Sequence, residues 1–96
     1  MQMNVIAKAK EEIEVLFDLI DAYDEYEVDL TQGILYIETD FGSYVINVHE
    51  VMQELWVSSP KTGAHHFKFD IIQQQWITAK NKELRELFTT ELNIKF

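Results

Sequence analysis

The spacing of apolar residues changes period twice along this chain, and no other feature restricts its fold as much. Over residues 3–22, Ile6, Ala9, Ile13, Leu16, Phe17 and Ile20 recur at steps of 3, 4, 3, 1 and 3, which is one face of an amphipathic helix. From Tyr26 the period falls to two. Tyr26–Leu30 sets Val28 and Leu30 against Glu27 and Asp29, Gln32-Gly33 reads as a turn, and Ile34–Thr39 reads as a second strand. After a turn at Asp40-Phe41-Gly42, residues Ser43–His49 set Tyr44, Ile46 and Val48 against Val45, Asn47 and His49. Trp56 lies in a run that ends at Ser58-Ser59-Pro60, and His66–Asp70 with Gln75–Thr78 reads as a further hairpin. Helical spacing returns at Leu84, Leu87, Phe88 and Leu92, with Asn81 as the expected N-cap. Residues 49–56 fit either a helical turn or strand–turn–strand, because Val51, Met52 and Leu55 are helically spaced.

This order predicts an α+β fold in one domain, residues 1–96. An antiparallel sheet would lie between N- and C-terminal helices packed on one of its faces, a two-layer sandwich whose second sheet face is open to solvent. The 47% hydrophobic content is enough for a core and argues against disorder. Zero cysteines exclude disulfides, thiolate metal sites and cysteine nucleophiles. A net charge of −9 argues against nucleic-acid binding and against docking on an anionic membrane. No apolar run has spanning length, and nothing at the N-terminus reads as a transit peptide.

The charge is unevenly placed. Between Glu11 and Pro60 there is no Lys or Arg, yet thirteen of the seventeen carboxylates lie there. Glu11, Glu14, Asp18, Asp21 and Glu25 step by 3, 4, 3 and 4, so a helix reaching that far carries them as one stripe, which Glu27 and Asp29 extend onto the first strand. At roughly 0.2–0.5 kcal/mol per neighbouring like-charge pair, the four steps cost on the order of 1–2 kcal/mol. Carboxylates and water are hard ligands suited to hydrated Fe(II), Fe(III), Mn(II), Ca(II) or Mg(II), held weakly and with poor selectivity. The alternative is a solvated helix face.

The helix rich in acids, Gly33-Ile34-Leu35, Gly42-Ser43-Tyr44-Val45-Ile46-Asn47, and Leu55-Trp56-Val57-Ser58-Ser59-Pro60 followed by Gly63 and a closing amphipathic helix resemble the frataxin family. The similarity runs from about residue 5 to the C-terminus, and the stretch from Tyr44 to Pro60 is its specific part. His66-Phe67 is similar to a pair in the bacterial branch, whereas Ser58-Ser59-Pro60 looks more mitochondrial. The resemblance implies the frataxin-like sandwich and strand–turn–strand over residues 49–56. It implies an iron-binding protein (Fe2+/Fe3+) of iron–sulfur cluster assembly, an iron donor and regulator that binds a cysteine desulfurase and its scaffold protein. It places family acids at Glu14, Asp18, Asp21, Glu25, Glu27 and Asp29; Val15 and Leu19 depart from acids frequent in bacterial members. The expected state is a monomer with iron-dependent association as the alternative, in a bacterial cytoplasm or, as a mature form, the mitochondrial matrix.

Sheet alternation turns Asn47, His49 and Trp56 away from the helices, and Trp is the commonest type of interface anchor. A one-residue slip in register would instead make Trp56 core. The resemblance matches Trp56 to an exposed family tryptophan and Asn47 to an asparagine that contacts the scaffold; His49 stands where Gln is usual, and Val48 and Val51 also depart. Asn47, His49, Trp56 and His66 are therefore the expected partner-binding residues. Adjacent His65 and His66 face opposite ways on a strand, so only His49 and His66 could share a face, a weak metal signal. Trp76 is assigned to the core. No phosphate loop, nucleophile elbow, zinc motif or catalytic residue is evident. A binding and regulatory protein is favoured, with a ferroxidase or iron-storage protein, or an acidic adaptor without metal, as alternatives.

Overall fold

The computed structural model describes residues 4–96; the start of the expected helix at residue 3 lies outside them. Helix α1 (Val5–Asp21) opens on Asn4, whose side chain accepts a hydrogen bond from the Ala7 N–H at 3.0 Å. Six strands follow: β1 (Glu27–Thr31), β2 (Ile34–Thr39), β3 (Gly42–His49), β4 (Glu54–Ser59), β5 (Gly63–Asp70) and β6 (Gln75–Ile77). Helix α2 (Leu84–Leu92) closes the chain. The sheet is an antiparallel meander in the order β1-β2-β3-β4-β5-β6.

Turn chemistry fixes the registers. Gln32 and Gly33 both take positive φ, 52° and 78°, the conformation that a two-residue hairpin needs between Thr31 and Ile34. Gly42 has φ 134°, and a Cβ there would lie 2.5 Å from Cβ of Pro60, so only glycine lets the β2–β3 and β4–β5 turns pack together. Residues 49–56 are strand, turn and strand. Pairing of Val48 with Leu55 and of Asn47 with Trp56 overrides the local helical preference.

The core lies between the helices and one sheet face. Ala9, Ile13, Leu16 and Ile20 of α1 and Leu84, Leu87, Phe88 and Leu92 of α2 meet Leu35, Ile37, Tyr44, Ile46, Leu55, Val57 and Phe67. Trp76, 3% exposed, belongs to this core. Both helices therefore share one face, and the opposite face carries no helix.

Two expectations need correction at element ends. Asn81 does not cap α2: it sits at φ 64° in a turn, its N–H donating to the Thr78 carbonyl at 2.9 Å. The N-cap is Glu83, whose carboxylate accepts from the N–H groups of Arg85 (2.7 Å) and Glu86 (3.2 Å). Helix α1 stops at Asp21 with Ala22 as C-cap, so Glu25 lies in the following turn rather than on the helical stripe.

Candidate functional site

The acids divide into three groups. Glu11, Glu14, Asp18 and Asp21 are exposed on α1, as the periodicity requires. Glu25 stands in the turn between α1 and β1. Glu27 and Asp29 point outward from β1, an edge strand, while Val28 and Leu30 face the helices. Glu11 has a cation nearby, Lys8 Nζ at 3.9 Å, and Asp29 accepts the Thr31 hydroxyl at 2.6 Å. Among the described residues, no three carboxylate or imidazole groups converge on a common point that could hold a metal ion. The ridge is an open anionic surface, on which a cation keeps most of its water.

The polarity of α1 adds to the repulsion along it. Lys8 and Lys10 lie in its N-terminal half and Asp18 and Asp21 near its C-terminus, and no basic residue occupies its last turn. Both placements oppose the helix macrodipole, which favours anions at the N-terminus and cations at the C-terminus. Glu12, between the exposed Glu11 and Glu14, is not part of the ridge. It is 9% exposed and accepts two hydrogen bonds from Arg85 of α2, from Nε at 2.8 Å and from the terminal nitrogen at 2.9 Å. That bidentate pair joins the two helices and raises the Arg85 pKa above its ordinary value.

On the open sheet face, register brings the four expected partner residues together. Asn47, Trp56 and His66 form one cross-strand row, and His49 follows Asn47 on the same side of β3. The Trp56 ring lies between two imidazoles. Its centroid is 4.0 Å from that of His49 with 19° between planes, and 4.1 Å from that of His66 with 8°. Because the indole separates the two histidines, they do not share a metal. His49 is also fixed from outside, its Nδ1 accepting from the Met52 N–H at 3.2 Å.

Glu54 completes this arrangement, and the sequence reading passed over it. Its Oε1 accepts from Nε1 of Trp56 at 2.8 Å, while Lys68 Nζ lies 3.9 Å from its Oε2. Glu54 is only 5% exposed although it belongs to the outward face, because the side chains around it cover it. Its signal was present: a carboxylate two residues before Trp56 on a strand must share the indole's face. The stack, the indole bond and the ion pair hold Trp56 in one orientation.

A second, half-buried polar network ties α2 to the sheet. Glu91 Oε1 accepts the hydroxyls of Tyr44 and Ser59, each at 2.6 Å, and Oε2 accepts that of Thr62 at 2.7 Å. Burial alone would raise the Glu91 pKa, but these hydrogen bonds outweigh it and hold the group below its ordinary value. Burial and the bond to Glu91 push the Tyr44 phenol upward.

Comparison with known proteins agrees with this architecture. The frataxin-like domain family model matches residues 3–96, and the chain belongs to that family. It is 31% identical over 91 residues to the mitochondrial frataxin of Dictyostelium discoideum, covering 86% of this chain and 47% of that protein. It is also 31% identical over 68 residues to the mitochondrial frataxin homolog of Saccharomyces cerevisiae, covering 69% of this chain and 38% of that protein. The chain thus spans less than half the length of these two curated relatives. Among solved structures, a yeast frataxin superposes with a TM-score of 0.72 at 26% identity, over 93% of this chain and 77% of its own. The crystal structure of a trimeric yeast frataxin complexed with ferrous iron shares the fold, with a TM-score of 0.71 at 24% identity over 97% and 85% of the two chains.

Proposed function

We propose that this chain is an iron-binding protein of iron–sulfur cluster assembly, carrying iron on the α1–β1 ridge and docking through the open sheet face to a cysteine desulfurase and its scaffold. The observation that carries this reading is the His49–Trp56–His66 stack. The three stacked rings, with the half-buried indole fixed in one orientation on a helix-free face, present a rigid contact surface, and little side-chain freedom is left to lose on binding.

Iron in this account is cargo. Glu11, Glu14, Asp18, Asp21, Glu25, Glu27 and Asp29 supply hard oxygen donors without a closed cage, which suits a hydrated ion that must later be released. Family membership and the ferrous iron of the yeast neighbour support the metal. The working unit is a monomer, with association when iron loads the ridge. The two relatives named mitochondrial favour the matrix over a bacterial cytoplasm. No residue is assigned a catalytic role, and Fe(II) oxidation at the buffer rate is expected.

The spread of the carboxylates favours one second reading, an adaptor whose ridge meets a basic protein patch without metal. A pull-down with a desulfurase–scaffold complex, run with and without Fe(II), decides between them. Capture that Fe(II) strengthens or alters supports the iron reading; capture identical in both arms, together with no Fe(II)-dependent amide broadening over Glu14–Asp29, supports the adaptor. Absence of capture in both arms contradicts the partner assignment.

A further inference from the structure

The cations of this acidic chain are not all paired with its acids. Lys8, Lys68 and Arg85 have carboxylate partners within 4.0 Å; among the described residues Lys80 and Lys82 have none. Both line a concavity of about 470 Å³ with His65, His66, Thr62 and Thr78, and no carboxylate side chain forms part of its wall. In a molecule of net charge −9 this wall is locally basic, with Glu83, Glu86 and Glu91 on the far side of Lys82 and Thr62 in the adjoining concavity.

The fold produces the recess. Strand β6 has only three residues and pairs only with Lys68–Asp70 of β5. Beyond Ile77 the chain leaves the sheet, so residues 64–67 of β5 have no partner strand on that side, and Ala64, His65 and His66 of this free edge border the recess. The departing loop then folds back over this free edge. Its shape is fixed by Thr78, whose N–H donates to the Lys82 carbonyl at 2.9 Å and whose hydroxyl accepts from the Lys82 N–H at 3.1 Å. Asn81 at φ 64° completes the turn and separates the two lysines.

The histidine wall is also ordered. Nε2 of His65 lies 2.7 Å from the Thr62 hydroxyl, which donates onward to Glu91 at 2.7 Å. With the Thr62 proton committed to Glu91, His65 Nε2 is the donor in that contact. The ring of His66 is held by its stack on Trp56.

We propose that this recess is a binding site for a small multivalent oxyanion, a phosphate or polycarboxylate. Two ammonium groups, the Thr78 hydroxyl and strand-edge amides of residues 64–66 border one space, and such a ligand matches them in charge and hydrogen-bonding type. The proposal is independent of the assignment of iron to the ridge; it adjoins the Trp56 patch through His66. Exposure and screening put the expected affinity in the millimolar range.

The test is titration of the metal-free chain with pyrophosphate and, separately, with citrate at constant ionic strength, followed by amide shifts. Saturable shifts at residues 64–66 and 78–82 are expected for at least one anion, and the tighter of the two identifies the ligand chemistry. Lys80→Gln with Lys82→Gln should abolish saturation, whereas Lys10→Gln on α1 should leave it intact. Shifts that rise linearly without saturation, spread over all lysines, or persist in the double variant would overturn the site.

Discussion

The indole N–H of Trp56 donates to Oε1 of Glu54 at 2.8 Å, from a position two residues along the same strand. Half-buried tryptophan and buried glutamate therefore depend on each other. Trp56→Phe keeps an aromatic ring between His49 and His66 but leaves the carboxylate without its donor. The expected loss is about 1–3 kcal/mol of unfolding free energy in urea titrations. No loss would show that water replaces the indole freely.

Arg85 is the only guanidinium in the chain and it is bound in two places to a nearly buried acid. Arg85→Gln leaves the nearly buried Glu12 without its partner charge, and because the Arg85 side chain is itself partly exposed stability should fall by about 1–3 kcal/mol. Arg85→Lys should recover only part of it, because an ammonium cannot reproduce the fork. Replacing both partners, Glu12→Leu with Arg85→Met, should cost far less than Arg85→Gln alone. A double change as harmful as the single one would show that packing rather than charge is lost.

Asp18→Asn and Asp21→Asn should raise stability. Each change relieves repulsion along α1 and removes an anion from the wrong end of the helix dipole, together about 0.5–2 kcal/mol at low salt. The gain should shrink as salt is added. The melting temperature at two ionic strengths measures it. A lower melting temperature would mean that these acids stabilise the fold and are not retained against its interest.

Acid stability should depend on Glu91. Its folded-state pKa lies below its unfolded one, so its contribution is fully present above the ordinary value of 4.5 and is lost as pH falls through the lower folded value. Glu91→Gln should thus be less stable than wild type at pH 7, and the gap should narrow below pH 4.5. Urea midpoints across this range measure it; a constant gap would mean that the charge of Glu91 plays no part.

Periodicity in the sequence was sufficient for both helices and for the strands on either side of residues 49–56, since each follows from side-chain direction within one element, whereas the outward face of Trp56 and strand–turn–strand over 49–56 needed the family resemblance. The cross-strand row of Asn47, Trp56 and His66 was expected on the same combination of alternation and resemblance. Other features depended on what lies across the fold. Glu12 differs in no local way from Glu11 or Glu14, and only the position of Arg85, 73 residues later, makes it structural. Glu91 meets Tyr44 across 47 residues. Asn81 was misread because asparagine suits a left-handed turn as well as a helix cap. Glu25 was conditionally placed on the stripe because no glycine or proline marks the end of α1 at Asp21.

The central claim is that the Trp56 face docks to the cluster-assembly complex while the ridge carries iron. The most direct measurement is the affinity of Trp56→Ala for a desulfurase–scaffold complex, with a dispersed amide spectrum confirming that the variant is folded. Loss of a central aromatic anchor typically removes 2 kcal/mol or more, so binding should weaken by roughly thirtyfold or more. Fe(II)-induced broadening at Glu14–Asp29 should meanwhile be unchanged. A folded Trp56→Ala protein that binds the complex with wild-type affinity would contradict the account.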